Sequence, residues 1–348
     1  MLTGNCLRRA ASCAAIMFAA AAQTSAHEKW FHETKGYPLR WDLFFRPLPL
    51  AFAASVLLAT LVGWFIRRKR RGRGFVPGPE DFGTTAERRS ALYGLVPAIL
   101  AVHVAVPLLV GGVVGNLFAP NNRLPGVWMY LLGLALTGIA LSFFYGGLTR
   151  LASIALAGLW VAGIFLIGFE PMLENTMYLG FAAFFFLAGR GPVSIDRLLL
   201  PRLEPSPRLM KLAIPALQAG MGLSLICVAF TEKFANLPLA AAFLERYPLN
   251  FTAALGIPMS NELFILCAGS VELLIGLWIL FGIFPREIIL IAWIPINLTV
   301  SIFNWTELIG HLPIYGTLAV LLIWSPGSDN LALWLHGLRD GPLAILNS

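Results

Sequence analysis

Residues 212–230 form an apolar run that turns polar at Thr231-Glu232-Lys233-Phe234-Ala235-Asn236. Two more apolar runs follow, 262–284 and 288–303, joined by the short connection Pro285-Arg286-Glu287. Then comes Asn304-Trp305-Thr306-Glu307-Leu308-Ile309-Gly310-His311-Leu312-Pro313-Ile314-Tyr315-Gly316, and a last apolar run reaches Trp324. Apolar stretches of roughly 17 or more residues are long enough to cross a bilayer as helices. Four of them in succession predict a four-helix membrane unit over residues 212–326, and the rest of the chain is read around it.

The bulk numbers agree. Of 348 residues, 58% are hydrophobic and 12% charged, whereas soluble domains are about one-quarter charged. The expected fold is all-α and polytopic, with every backbone amide in a span satisfied inside its own helix because lipid offers no partner. The net charge of +7 reflects basic residues gathered on one side of the membrane and is no sign of nucleic acid. Motifs for a P-loop, GxSxG, HExxH, CxxC and CxxCH are absent from the sequence, which removes local support for ATP-driven transport, serine hydrolysis and c-type haem. Four cysteines are present; Cys227 and Cys267 lie within apolar runs as small apolar residues, a redox pair only if their helices touch.

From the start of the chain, residues 1–26 read as a secretory signal: Arg8 and Arg9, an apolar run, and Thr24-Ser25-Ala26 as a small-residue cleavage site. A periplasmic segment, 27–46, comes next. Residues 47–66 form a first transmembrane helix, closed by Arg67, Arg68, Lys69, Arg70, Arg71 and Arg73, which mark the cytoplasmic side. Residues 67–90 are a basic cytoplasmic linker, 91–189 a first four-helix unit, 190–211 a cytoplasmic loop and 327–348 a cytoplasmic tail. The count is about nine mature spans in a bacterial inner membrane, with the mature N-terminus periplasmic and the C-terminus cytoplasmic.

The two four-helix groups look alike. Tyr145-Gly146-Gly147-Leu148-Thr149-Arg150 aligns with Phe281-Gly282-Ile283-Phe284-Pro285-Arg286. Glu174 to Gly180 aligns with Gly310 to Gly316 at the same spacing of 136 residues. A tandem duplication is expected, its copies facing the same way because each holds an even number of spans. On this alignment Asn175 stands where His311 stands and Leu136 where Glu272 stands, so the second unit is the expected working half.

Charged residues in apolar runs are costly and mark function by default. Glu272 lies about 15 Å into its span at about 1.5 Å per residue and is a candidate proton carrier. Glu307 and His311 are four apart, on one face if helical, and suit either a metal or a quinone carbonyl with its proton. Glu232 and Lys233 end the first span of the second unit on the same outer side, as the mouth of a substrate or quinone site. Cleavage after Ala26 makes His27 the N-terminus, whose amine and imidazole, with His32, form a set that suits copper. His103 sits mid-span in the first unit.

Three stretches resemble the DoxX family of four-helix membrane proteins: Thr231-Glu232-Lys233-Phe234, Val271-Glu272-Leu273-Leu274-Ile275-Gly276 leading to Gly282-Ile283-Phe284-Pro285-Arg286, and Gly310-His311-Leu312-Pro313-Ile314-Tyr315-Gly316. The resemblance covers about one-third of the chain. It implies redox work, since related DoxD-type subunits belong to a thiosulfate:quinone oxidoreductase, and it favours Glu232, Lys233, Glu272 and His311 as a working set. The leading expectation is a membrane subunit of a quinone-linked redox system, with a soluble or membrane redox subunit and the bilayer as partners. The alternatives are a metal-handling or small-solute transport protein, and a non-catalytic scaffold or assembly factor.

Overall fold

The computed structural model of the chain describes residues 27–200, 206–324 and 328–340. The stretch read as a signal, with Cys6 and Cys13, and parts of the stretches read as a cytoplasmic loop and tail lie outside these residues. Among the described residues the secondary structure is helical, with no strand beyond one isolated bridge between Asn116 and Arg123. We label α1 Glu28–Phe31, α2 Pro47–Lys69, α3 Ala86–Val114, α4 Trp128–Tyr145, α5 Thr149–Leu166, α6 Met177–Ala188, α7 Ala213–Val228, α8 Leu237–Arg246, α9 Asn261–Leu280, α10 Pro285–Ile323 and α11 Ser328–Asp340. Seven helices among the described residues are long and apolar enough to cross a membrane: α2, α3, α4, α5, the run Pro207–Phe234 that contains α7, α9 and α10. Leu57, Leu58, Leu61 and Phe65 on α2 are each more than half exposed. Such a belt of bare apolar side chains needs lipid around it.

α10 is two helices in one. A straight helix would separate residues 286 and 322 by about 54 Å at about 1.5 Å per residue. Instead Arg286 Nε donates to Leu322 O at 3.3 Å, and Tyr315 Oη donates to Asn297 Oδ1 at 3.1 Å. The chain folds back at Asn304, whose φ of 58° and ψ of −140° break the helix. The corresponding break in the first half is at Gly168 (φ 134°), between α5 and the short helix Phe169–Glu174. Three pairs of positive-φ residues share the spacing of 136: Gly146 and Gly282, Leu148 and Phe284, Gly168 and Asn304. In both halves a left-handed residue immediately precedes the third helix.

The halves interlock through small residues. α6 meets α7 at Gly180 and Gly220, where a Cβ on Gly180 would lie 2.9 Å from the Gly220 Cα. The second arm of α10 packs on α3, Gly316 against His103. Glycines let membrane helices approach this closely. His103 is thereby a packed histidine, its Nδ1 within 2.8 Å of Ile99 O.

Two features differ from the sequence reading, and the short span α6 stands as read. α3 starts at Ala86, inside the stretch read as linker, because Thr85 caps it by accepting from Arg88 N. α6 has 12 residues, short for a crossing. The tail helix α11 packs into the bundle: Ser90 Oγ donates to Leu333 O at 2.9 Å, and Trp334 is buried against Phe184 and Trp324.

The α6–α7 contact gives a test. Gly180→Ala places a methyl against backbone and is expected to lower stability by about 1–3 kcal/mol, against the helix-propensity gain of Ala. Gly138→Ala, whose Cβ meets nothing within 4 Å, is expected to leave the melting temperature unchanged or raised. Thermal unfolding of the two variants in detergent checks this.

Candidate functional site

The charges of the second half converge inside the bundle. α7 runs into a π-helical turn, Ala229–Phe234, a feature common at functional sites. The widened turn sends two sequence neighbours inward, Glu232 and Lys233, each 1% exposed. Lys233 Nζ lies 3.0 Å from Glu272 Oε2 on α9, an ion pair whose groups are not aligned as a hydrogen bond. Glu232 and Lys233 are therefore interior residues and not the open mouth that the sequence led us to expect.

What covers them is α1. Glu28 N donates to Glu232 Oε2 at 2.8 Å. Lys233 Nζ also pairs with Glu28 Oε2 at 3.1 Å, so one ammonium serves two carboxylates. Lys29 Nζ donates to Glu170 Oε1 at 2.7 Å and also to Glu174 Oε1, which accepts from Thr231 Oγ1 as well. Trp30 occupies the space above Gly310, where a Cβ would collide with its ring. Phe31 stacks on Phe303 with ring centroids 4.3 Å apart. α1 is thus held to the first half through Glu170 and Glu174, and to the second through Glu232, Lys233, Phe303 and Gly310.

His27 lies at the centre. Its Nδ1 is 3.7 Å from Glu232 Oε1, and its ring centroid is 5.5 Å from that of His311. His311 Nδ1 is 3.7 Å from Glu307 Oε1. The helix restarts at Asn304 and not near Gly310, so Glu307 and His311 share one turn. Both are buried, and His311 Nδ1 and both Glu307 carboxylate oxygens lack a hydrogen-bond partner. A separation of 3.7 Å exceeds a direct hydrogen bond, so one rotamer change or bridging molecule connects each pair. A narrow pocket lies here, lined by Ile275, Ile296 and Leu318 together with His27, Glu272 and His311. His27 also lines a second narrow pocket, beside Glu174 and Glu232.

The copper set is corrected by this arrangement. His27 turns into the bundle, whereas His32, at the other end of α1, has extended backbone and sits outside, its Nδ1 3.0 Å from Glu33 O and its ring against Tyr37. Among the described residues no group of three or more His, Cys, Asp or Glu is arranged to hold a metal. α7 and α9 do touch, at Gly222 and Gly276, but Cys227 and Cys267 are both free thiols.

Burial sets the ionisation of α1. It lowers the His27 imidazole, keeping it neutral at pH 7. It pushes Glu28 up to about 8 in spite of Lys233. Burial also acts against the Lys29 ammonium, but Glu174, Glu232 and the hydrogen bonds to Glu170 and Glu174 outweigh it and hold Lys29 above its ordinary value.

No protein-family model, curated protein or solved structure matches this chain. The site therefore has to be read from its own chemistry. Glu28, Lys29, Glu170, Glu174 and Thr231 belong to it and were not singled out from the sequence. They sit in short polar stretches, where a charge costs nothing in water and gives no signal.

Glu28 yields a pH prediction. Its folded-state pKa is raised, so the folded protein holds a proton that the unfolded chain releases. That stability is complete below the ordinary carboxylate pKa of about 4.3 and is lost as pH rises through about 8. The melting temperature is expected to fall between pH 6 and pH 9 on the order of the titration of one group, and Glu28→Gln is expected to flatten that decline. An unchanged slope in the variant would show that Lys233 keeps Glu28 ionised.

Proposed function

We propose that the protein is a DoxX-like integral membrane subunit that exchanges protons with a quinone, electrons coming from a partner redox subunit. The observation that carries this reading is the pocket whose apolar walls end at His27, Glu272 and His311. A lipophilic ring enters such walls from the bilayer, and an imidazole N–H donates to its carbonyl. Reduction of a quinone to a quinol takes two electrons and two protons. The protons are available: Glu28, Glu174, Glu232, Glu272 and Glu307 are all buried, with Lys29 and Lys233 as the ammonium groups among them. Five carboxylates against two ammonium ions in low dielectric are stable only with protons on some of the acids. Glu170, 40% exposed at its side chain, connects this cluster to the surface through Lys29.

In this reading both arms of α10 and the short α6 cross the membrane, giving nine crossings in two parallel units related by duplication. The basic end of α2 faces the cytoplasm, and α1 lies on the outer side of a bacterial inner membrane. His311 orients the carbonyl, Glu307 and Glu272 deliver protons, and Lys233 holds Glu272 in place.

The test is solvent extraction of protein purified in mild detergent, with quinone quantified chromatographically per mole. A near-stoichiometric yield is expected, reduced at least about tenfold in His311→Ala, as for about 1.4 kcal/mol of lost binding. No quinone, together with a co-purifying enzyme, would favour the scaffold reading. Glu272→Gln separates the roles further: quinone is expected to stay bound and membrane insertion to be normal, while proton-coupled turnover is abolished. Full turnover in that variant would remove Glu272 from the path.

A further inference from the structure

At the basic end of the first unit, where α4 ends and α5 begins, lies a second polar feature remote from the buried carboxylates. A small pocket is lined by Thr149, Arg150, Arg190, Asp196 and Arg197. Arg190 is 8% exposed. Its Nε and Nη2 donate to Phe143 O and Phe144 O at 2.8 and 3.1 Å, capping the last carbonyls of α4. Its Nη1 is buried without a partner, as is the Oγ1 of Thr149, a residue 1% exposed. Two buried polar groups lining one pocket with capacity to spare are costly unless something fills it.

The missing partner is an anion. Asp196 is the carboxylate among the lining residues, and each of its oxygens holds a backbone amide: Oδ1 accepts from Leu148 N at 2.6 Å and Oδ2 from Thr149 N at 2.8 Å. Asp196 thereby occupies the N-terminus of α5, so a ligand meets guanidinium groups and not the helix end. Burial lowers the Arg190 guanidinium, and no carboxylate acts against that shift. The corresponding corner of the second half is supplied differently: Arg286, 136 residues after Arg150, has Glu80 at 3.6 Å. Guanidinium groups with a hydroxyl suit the oxygens of a phosphate, which planar N–H pairs recognise well.

We propose that this pocket binds a phosphate oxyanion, either a phospholipid headgroup from the membrane surface or free phosphate. Arg190 Nη1 and Thr149 Oγ1 hold the oxygens, and Arg150 and Arg197 complete the charge at the rim. The site does not depend on the quinone reading.

The experiment is thermal unfolding of the full-length protein in detergent with two probes. One is inorganic phosphate, against chloride at equal ionic strength. The other is a short-chain phosphatidylglycerol, against octyl glucoside at equal concentration. A rise in melting temperature with phosphatidylglycerol alone assigns a lipid headgroup, and a rise with inorganic phosphate as well assigns free phosphate. Arg197→Gln and Thr149→Val are each expected to weaken the effective probe about tenfold, as for one lost charge-assisted hydrogen bond. Arg190→Gln is expected to abolish the effect, its unliganded melt showing whether the cap on α4 survives. No rise with either probe, or an undiminished rise in Arg197→Gln and Thr149→Val, would overturn the assignment.

Discussion

Charge cannot be left bare inside a lipid-embedded bundle, and the centre of this protein is arranged around that cost. Removing an ion from water is repaid only by close partners. Lys233 meets the requirement twice, with Glu28 on one side and Glu272 on the other. Lys29 does the same for Glu170 and Glu174. These two ammonium groups join three parts of the chain: the N-terminal segment, the first half and the second half.

The two halves share a frame but not its contents. The breaks at Gly168 and Asn304 reverse the chain at equivalent places, so a residue a few positions later points toward the centre in each half. In the second half those residues are Glu307 and His311; in the first they include Glu174 and Asn175. Asn175 Nδ2 donates to its own helix at Pro171 O and is spent on local structure. His311 has no such outlet and faces His27. The buried Glu307 and His311 thus have no counterpart in the first half, which supplies carboxylates for Lys29 and, at its opposite end, the arginine corner beside α5.

Much of the frame was legible in the sequence because lipid enforces a simple rule, long apolar helices bounded by polar turns. The rule blurs where residue count and geometry part. α6, read as a short span, has only 12 residues, and α10 reverses at an asparagine with no proline or glycine beside it. Glu232, Lys233, Glu272, Glu307 and His311 stood out because each is polar in or beside an apolar run. His27 was noticed for the wrong partner. Pairing it with His32 needed the two imidazoles to turn to one side, whereas the contacts of Glu28 and Trp30 turn them to opposite environments. Nothing in the local sequence of α1 shows that its charges match acids more than 140 residues away.

That separation has a consequence for how the molecule is put together. As the chain is made, α1 emerges with its charges unmatched and its aromatic side chains unsupported. The acids for Lys29 follow 141 and 145 residues later, and Lys233 follows Glu28 by 205. Phe303 and Gly310, the seats for Phe31 and Trp30, come later still. Docking of α1 therefore waits on residues of both halves, the latest of them Gly310.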